Sequence, residues 1–134
     1  MSNLIDTVKE MYGAFSRGDI AGVMAHVADD VLWEAEGPAE LKFTGIRRGK
    51  QDTMGFFTAI AEEHQNPLLN MTEFVSSADS VACFGRYACT LAKSGRRVDT
   101  PVAHLFKFKN GKVVHYTNLT DTAAYIEATN AAKA

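Results

Sequence analysis

One histidine stands apart among the residues able to move a proton. From Arg97 to Lys109 the chain alternates, and one face of that segment carries Val98, Thr100, Val102, His104, Phe106 and Phe108. His104 is the single ionisable group on this apolar face. Removing an imidazole from water penalises its protonated form and draws its pKa down. Uncharged near neutral pH, it can take or give one proton. That suits enol–keto shifts, aldol-type closure or dehydration of a carbonyl compound without a cofactor. The competing reading is a packing histidine whose ring N–H satisfies a nearby hydroxyl or carbonyl.

The following strand alternates Tyr116, Asn118 and Thr120. Turned inward, the Asn118 amide is able to donate to a developing enolate oxygen, with Tyr116 beside it. A plain two-residue hairpin at Asn110-Gly111 sets His104 opposite Thr117 instead, and puts His115 and Asp121 on its face. A β-bulge is needed to bring the Asn118 set inward; without one, Asn118 is polar strand surface. Tyr12, Trp33, Phe57 and Phe106 offer walls for a flat ligand, or plain core packing. Arg86 offers an anchor for a carboxylate or phenolate in the mouth of a pocket, or is a solvated arginine. Glu34 and Glu36 alternate with Trp33 and Ala35 as possible bases, with solvation on an edge strand as the default. Arg47-Arg48-Gly49-Lys50 could draw an anion, although a solvated turn accounts for it as well. The sequence holds no HExxH, CxxC, EF-hand loop or Gly-rich phosphate loop, so no metal or cofactor is expected.

The elements around these residues are those of one domain spanning 1–134. Of 134 residues, 46% are hydrophobic and 22% charged, enough to build a core without staples. Fourteen basic against sixteen acidic residues leave a net charge of −2, which disfavours nucleic acid as a partner. No apolar run approaches the roughly 18 residues of a membrane span. The N-terminal MSNLIDTVKEMYGAF is amphipathic rather than a secretory signal. Cys83 and Cys89, on one strand, are separated by about 20 Å and are expected to stay free thiols, which points to the cytoplasm.

Leu4, Ile5, Val8, Met11, Tyr12 and Phe15 follow the spacing of one helix face, with Ser2 or Asn3 as cap and Gly18 as stop. Asp19 caps a short second helix, and Asp29-Asp30 end it before a strand at Val31-Leu32-Trp33. Gly37-Pro38 and Gly45 mark irregular chain. A third helix is expected from Lys50 to Gln65, with Met54, Phe57, Ile60, Ala61 and His64 along its inner stripe and Asn66-Pro67 as its stop. Residues 68–77, 81–93, 97–109 and 112–120 read as strands, and Asp121-Thr122 opens a helix to about Ala132. Helices first and an antiparallel meander afterwards specify an α+β fold with the helices on one face of the sheet.

Three stretches now carry a resemblance: FSRGDIAGVMAHVADDVLWE, FTGIRRGKQDTMGFF and SGRRVDTPVAHLFKFKNGKVVHYTNLTDTAAYIEA. Together they make the chain similar to the SnoaL-like polyketide cyclases of the ketosteroid isomerase and nuclear transport factor 2 superfamily. The resemblance implies a cone-shaped, mostly antiparallel curved sheet covered by three N-terminal helices, with a short C-terminal helix. It also implies an apolar pocket in the mouth of the cone and a homodimer. The ligand it implies is a small hydrophobic or aromatic carbonyl compound, and the chemistry a cofactor-free isomerase, cyclase or lyase.

Matched residue by residue, the isomerase base falls on Ala35, its tyrosine on Met11 beside Tyr12, and its second acid on His104. The pocket histidine of the cyclases matches His104, and their acid on the last strand falls on Asn118. The Arg-x-Asp pair of the limonene epoxide hydrolases would read Arg86-Tyr87-Ala88. Steroid isomerisation and epoxide hydrolysis are therefore disfavoured. A non-catalytic binder that has lost the carboxylates, or a dimeric interaction domain, stands as the alternative. Ala103 and Leu105 on the outer face are more apolar than solvent requires, so that face is the expected dimer contact.

Overall fold

Asn3 starts the first helix, α1 (Leu4–Ser16), by accepting the backbone N–H of Asp6 at 2.8 Å. The computed structural model describes residues 3–131, so Ser2, the other expected cap, lies outside them. Gly18, at φ +73°, turns the chain out of α1. Asp19 then caps α2 (Ile20–Met24) by accepting from Gly22 N–H at 2.9 Å. Val8, Met11, Ala14, Val23 and Met24 are buried beneath these two helices.

The first strand, β1 (Val27–Ala35), is longer than the expected Val31-Leu32-Trp33. Asp29 and Asp30 do not end a helix; they sit in an interruption of β1 where pairing with the last strand lapses between Val27 and Leu32. β2 (Gly45–Arg48) pairs antiparallel with β1, where irregular chain was expected. Its four mostly exposed residues carry no alternation to announce a strand.

The third helix, α3 (Lys50–Glu63), stops two residues early, and its inner face is only in part the expected one: Phe57 and Ile60 face inward as expected. Thr53, Phe56, Phe57 and Ala59 are buried, whereas Met54 is 41% exposed and Ala61 is also on the surface. His64 is not helical: it opens β3 (His64–Ser76). Asn66-Pro67 lies within that strand as a bulge, with Asn66 at φ +50° and the register shifting between Gln65 and Leu68. β3 is the edge of the sheet, where a proline need not donate to a ladder.

β4 (Ser80–Leu91), β5 (Arg97–Lys109), β6 (Lys112–Thr120) and α4 (Thr122–Ala131) complete the chain. Ala132, the expected end of α4, lies outside the described residues. Asp121 accepts from Ala124 N–H at the start of α4. The sheet order is β2-β1-β6-β5-β4-β3, antiparallel throughout except for β1 beside β6. It curves without closing, and the helices cover its concave face. The α+β expectation holds.

Two local features set the curvature and register. Near the second bulge of β3, between Met71 and Glu73, the backbone of Asn70 and Met71 approaches Gly85 of β4. A Cβ on Gly85 would lie 2.6 Å from the Met71 Cα and closer still to the Asn70 carbonyl oxygen. At the β5–β6 turn, Asn110 (φ +53°) and Gly111 (φ +77°) form a two-residue hairpin with both residues left-handed. The pairing begins as Lys109↔Lys112 and Phe108↔Val113, then shifts to Lys107↔His115. One extra residue on β6, Val114, makes the bulge that sets His104 opposite Asn118. Val98, Thr100, Val102, His104, Phe106 and Phe108 are all buried on β5, as the alternation requires. Cys83 and Cys89 are free and buried on β4. Among the described residues, no helix is long and apolar enough to cross a membrane.

Candidate active site

The concave face and the helices over it leave an apolar cavity that is open at one mouth. Among the described residues lining it, none is a carboxylate, lysine or arginine. Polar groups reach it only from tyrosines, two histidines, Asn118, Thr120 and Trp33.

α1 brings Tyr12 across the sheet, and its hydroxyl meets His104 Nδ1 at 2.7 Å. His104 is 6% exposed, and burial lowers its pKa to about 3. Burial also pushes the Tyr12 hydroxyl well up, with the neighbouring Cys83 adding to the effect. The Cys83 thiol is itself raised by burial, against a hydrogen bond from Tyr12 that lowers it. The pair is therefore a hydrogen-bonded contact between two neutral groups. With Nδ1 engaged, the ring nitrogen left for a ligand is Nε2.

The β6 bulge places a second pair beside the first. Asn118 Nδ2 donates to the Tyr116 hydroxyl at 3.1 Å, and the Tyr116 ring lies 5.1 Å from that of His104, centre to centre. Burial raises the Tyr116 pKa, while the Asn118 hydrogen bond pulls the other way by favouring the charged form. Asn118 thus makes Tyr116 a stronger donor toward an oxygen acquiring charge. Trp33 stacks on Tyr116 at 3.9 Å and 21°, and Phe57 and Phe106 pack around them. Two buried polar atoms of cavity-lining side chains, Asn118 Oδ1 and Trp33 Nε1, have no hydrogen-bond partner among the described residues. Such groups carry a desolvation cost that a ligand's donor and acceptor would relieve.

Tyr12, Trp33, Phe57, His104, Phe106, Tyr116, Asn118 and Thr120 all line this one cavity. Arg86 does not. It stands opposite Pro101 on the outer face, where its Nε donates to Asp99 Oδ1 at 2.9 Å. Parity alone turns it away, because Gly85 and Tyr87 take the inward positions. Glu34 is also unavailable as a base: it pairs with His115 at 3.1 Å, and Glu36 is exposed. Arg47 serves the fold, donating to the carbonyls of Phe43 (3.0 Å) and Lys42 (2.8 Å) and lying over the Phe56 ring.

The residues that sequence reasoning missed are His64, Tyr87 and Tyr125, which also line the cavity. His64 reads as the last turn of a helix but opens β3. Tyr87 shares the inward parity of Cys83 and Cys89, so alternation along β4 was the available signal. Tyr125 stands on α4, whose sequence shows no apolar stripe to mark its inner face.

The sequence pattern of the SnoaL-like domain matches residues 8–116. Among curated proteins, none matches the chain. Among solved structures, the chain is similar to a nuclear transport factor 2-like protein of unknown function from Burkholderia pseudomallei K96243. Identity there is 30% over 96% of this chain and 98% of that one, with a TM-score of 0.90. A nuclear transport factor 2-like protein from Burkholderia thailandensis E264 is 27% identical over 96% and 98%, with a TM-score of 0.87. TerC, co-crystallised with polyporic acid, shares the fold at a TM-score of 0.85 and 22% identity over 94% and 97%. With its curved six-stranded sheet, its covering helices and these matches, the chain belongs to the SnoaL-like domain family.

Proposed function

We propose that the protein is a cofactor-independent isomerase, cyclase or lyase that moves a proton on a small, flat, hydrophobic carbonyl compound. The observation that carries this reading is the pairing of Tyr12–His104 with Asn118–Tyr116 across one apolar cavity. In this scheme His104 Nδ1–H donates to the Tyr12 oxygen, and the Tyr12 hydroxyl donates on to Cys83. That tautomer leaves Nε2 with a free lone pair. Nε2 takes a proton from the carbon beside the carbonyl: a C–H bond breaks, an N–H bond forms, and the electron pair passes to the carbonyl oxygen. The Tyr116 hydroxyl, backed by Asn118, holds that oxygen as an enolate. The imidazolium forms only opposite the enolate, so the pair is neutral overall inside a site that excludes isolated charge. Return of the proton to a different atom completes an isomerisation. Trp33, Phe57 and Phe106 keep water out.

The lining's lack of a carboxylate favours a second reading, a binder that releases its ligand unchanged. One experiment separates the two. 2-Tetralone, a flat enolisable ketone, is incubated with the protein in D₂O, and loss of its α-hydrogens is followed by NMR. A proton-transfer site accelerates exchange, and His104→Ala lowers the acceleration by about 10²–10⁴-fold. Binding of the ketone with exchange no faster than in the variant leaves the binder reading standing.

We also infer that the protein pairs with a second copy through the outer face of the sheet. Phe84, Ala103 and Leu119 stand side by side on β4, β5 and β6, with Phe84 45% and Leu119 51% exposed. The free buried thiols fit a reducing compartment, in keeping with the cytoplasm.

A further inference from the structure

A second histidine–tyrosine pair reaches the same cavity and plays no part in the proton transfer above. His64 is 7% exposed, and its Nδ1 meets the Tyr87 hydroxyl at 2.9 Å. The arrangement repeats that at His104. Each histidine engages a tyrosine hydroxyl through Nδ1, leaving Nε2 for a ligand. Each tyrosine also lies within hydrogen-bonding reach of a buried cysteine, Cys83 for Tyr12 and Cys89 for Tyr87.

The second pair is held rigidly. The His64 ring stacks on Tyr125 at 5.7 Å and 21°, and meets the Phe43 ring edge-on at 5.4 Å. The Tyr125 hydroxyl lies beside those of Thr100 and Thr120, which bond each other at 2.9 Å. This gathers polar groups at one end of a cavity whose middle is aromatic and aliphatic.

The sheet register sets the spacing between the two polar ends. Tyr87 stands opposite Thr100, and Cys83 opposite His104, so the pairs are offset by four residues along both β4 and β5. Four residues of strand span about 13 Å between Cα atoms, and side chains leaning into the cavity leave polar atoms on the order of 10 Å apart.

We propose that His64 and Tyr87 form a second polar anchor, and that the ligand is an elongated flat molecule with a hydroxyl or carbonyl oxygen at each end. This rests on the proposed site at His104 and narrows its ligand class. One oxygen sits at Tyr116 and His104, where the reaction occurs. The other sits at His64 and Tyr87, where it is held and fixes which carbon faces His104.

Binding of 2-naphthol and of 2,6-dihydroxynaphthalene tests the proposal. The two are alike but for the second hydroxyl. Trp33 is the only tryptophan and lines the cavity, so quenching of its fluorescence reports occupancy. The dihydroxy compound is expected to bind about tenfold more tightly, the worth of one well-made buried hydrogen bond. Tyr87→Phe and, independently, His64→Gln should bring that ratio close to one, a change that a general loss of stability does not produce. Equal affinity of the two compounds for the unmodified protein overturns the second anchor and leaves the His104 site standing. So does a tenfold ratio that survives both substitutions. Failure of both compounds to bind overturns the second anchor together with the small-molecule reading on which it rests.

Discussion

Acidification should destabilise this protein through its two buried histidines before most of its carboxylates are neutralised. Burial lowers His104 to about 3 and His64 to about 4, against 6.5 for an exposed imidazole. The groups facing His104 give a proton no help: Tyr12 from α1, Cys83 from β4 and Tyr116 from β6 are all held neutral. Around His64 the same holds for Tyr87 and Tyr125. Both folded values lie below the unfolded one, so the unfolded chain binds more protons between them. The stabilisation is complete above pH 6.5 and is lost as the pH falls toward 4 and 3. At pH 5 the pH lies about 1.5 units below the pKa of each unfolded histidine, which is worth about 2 kcal/mol, or about 4 kcal/mol for the two. A domain of this size has about 5–15 kcal/mol in all, so the loss is large. Urea unfolding at pH 7.5, 6.5, 5.75 and 5 measures it directly. His104→Gln and His64→Gln should each remove about half of the pH dependence, whatever they do to stability at pH 7.5. A free energy flat to within about 1 kcal/mol across this range, or a full slope in either variant, refutes the burial argument.

Two further outcomes test the fold and the assembly. Gly85→Ala drives a methyl group into the backbone of Asn70 and Met71, where no side chain can swing away, and should cost about 3 kcal/mol. That corresponds to a melting point about 10 °C lower, and a shift under about 2 °C would show that β3 is free to move. If the proposed dimer forms through the outer face, sedimentation equilibrium finds a dimer for the unmodified protein and a monomer for Leu119→Lys, which places a charge in the apolar row there. A variant that keeps the dimer mass removes this face from the interface.

Much of the architecture was legible along the chain because its cause is local. The helix caps at Asn3 and Asp19 and the Asn110-Gly111 turn are decided by one or two side chains and their own backbone. The inward face of β5 follows from a period of two, and with it the burial of His104. Local rules placed α3 but misread part of its inner face, because Phe56 and Phe57 both face inward and pack on Trp33, shifting the buried stripe from the one read off Met54 and Ala61. They also missed β2, whose four residues become a strand only because β1 lies beside them.

What the sequence by itself determined is the α+β class, the lone histidine on an apolar face, and the family resemblance carried by its phrases. The site depended on contacts between residues distant along the chain. Tyr12 meets His104 across 92 positions and His64 meets Tyr87 across 23, and no periodicity within one segment encodes such a meeting. The tertiary structure also decided between Asn118 and Thr117 as the partner of His104. A single extra residue at Val114 reverses the facing of everything beyond it on β6, because side chains in a strand alternate. The turn sequence could not reveal that bulge, since the hairpin itself is regular at Asn110-Gly111 and the slip comes later, where the two strands pack against the rest of the sheet.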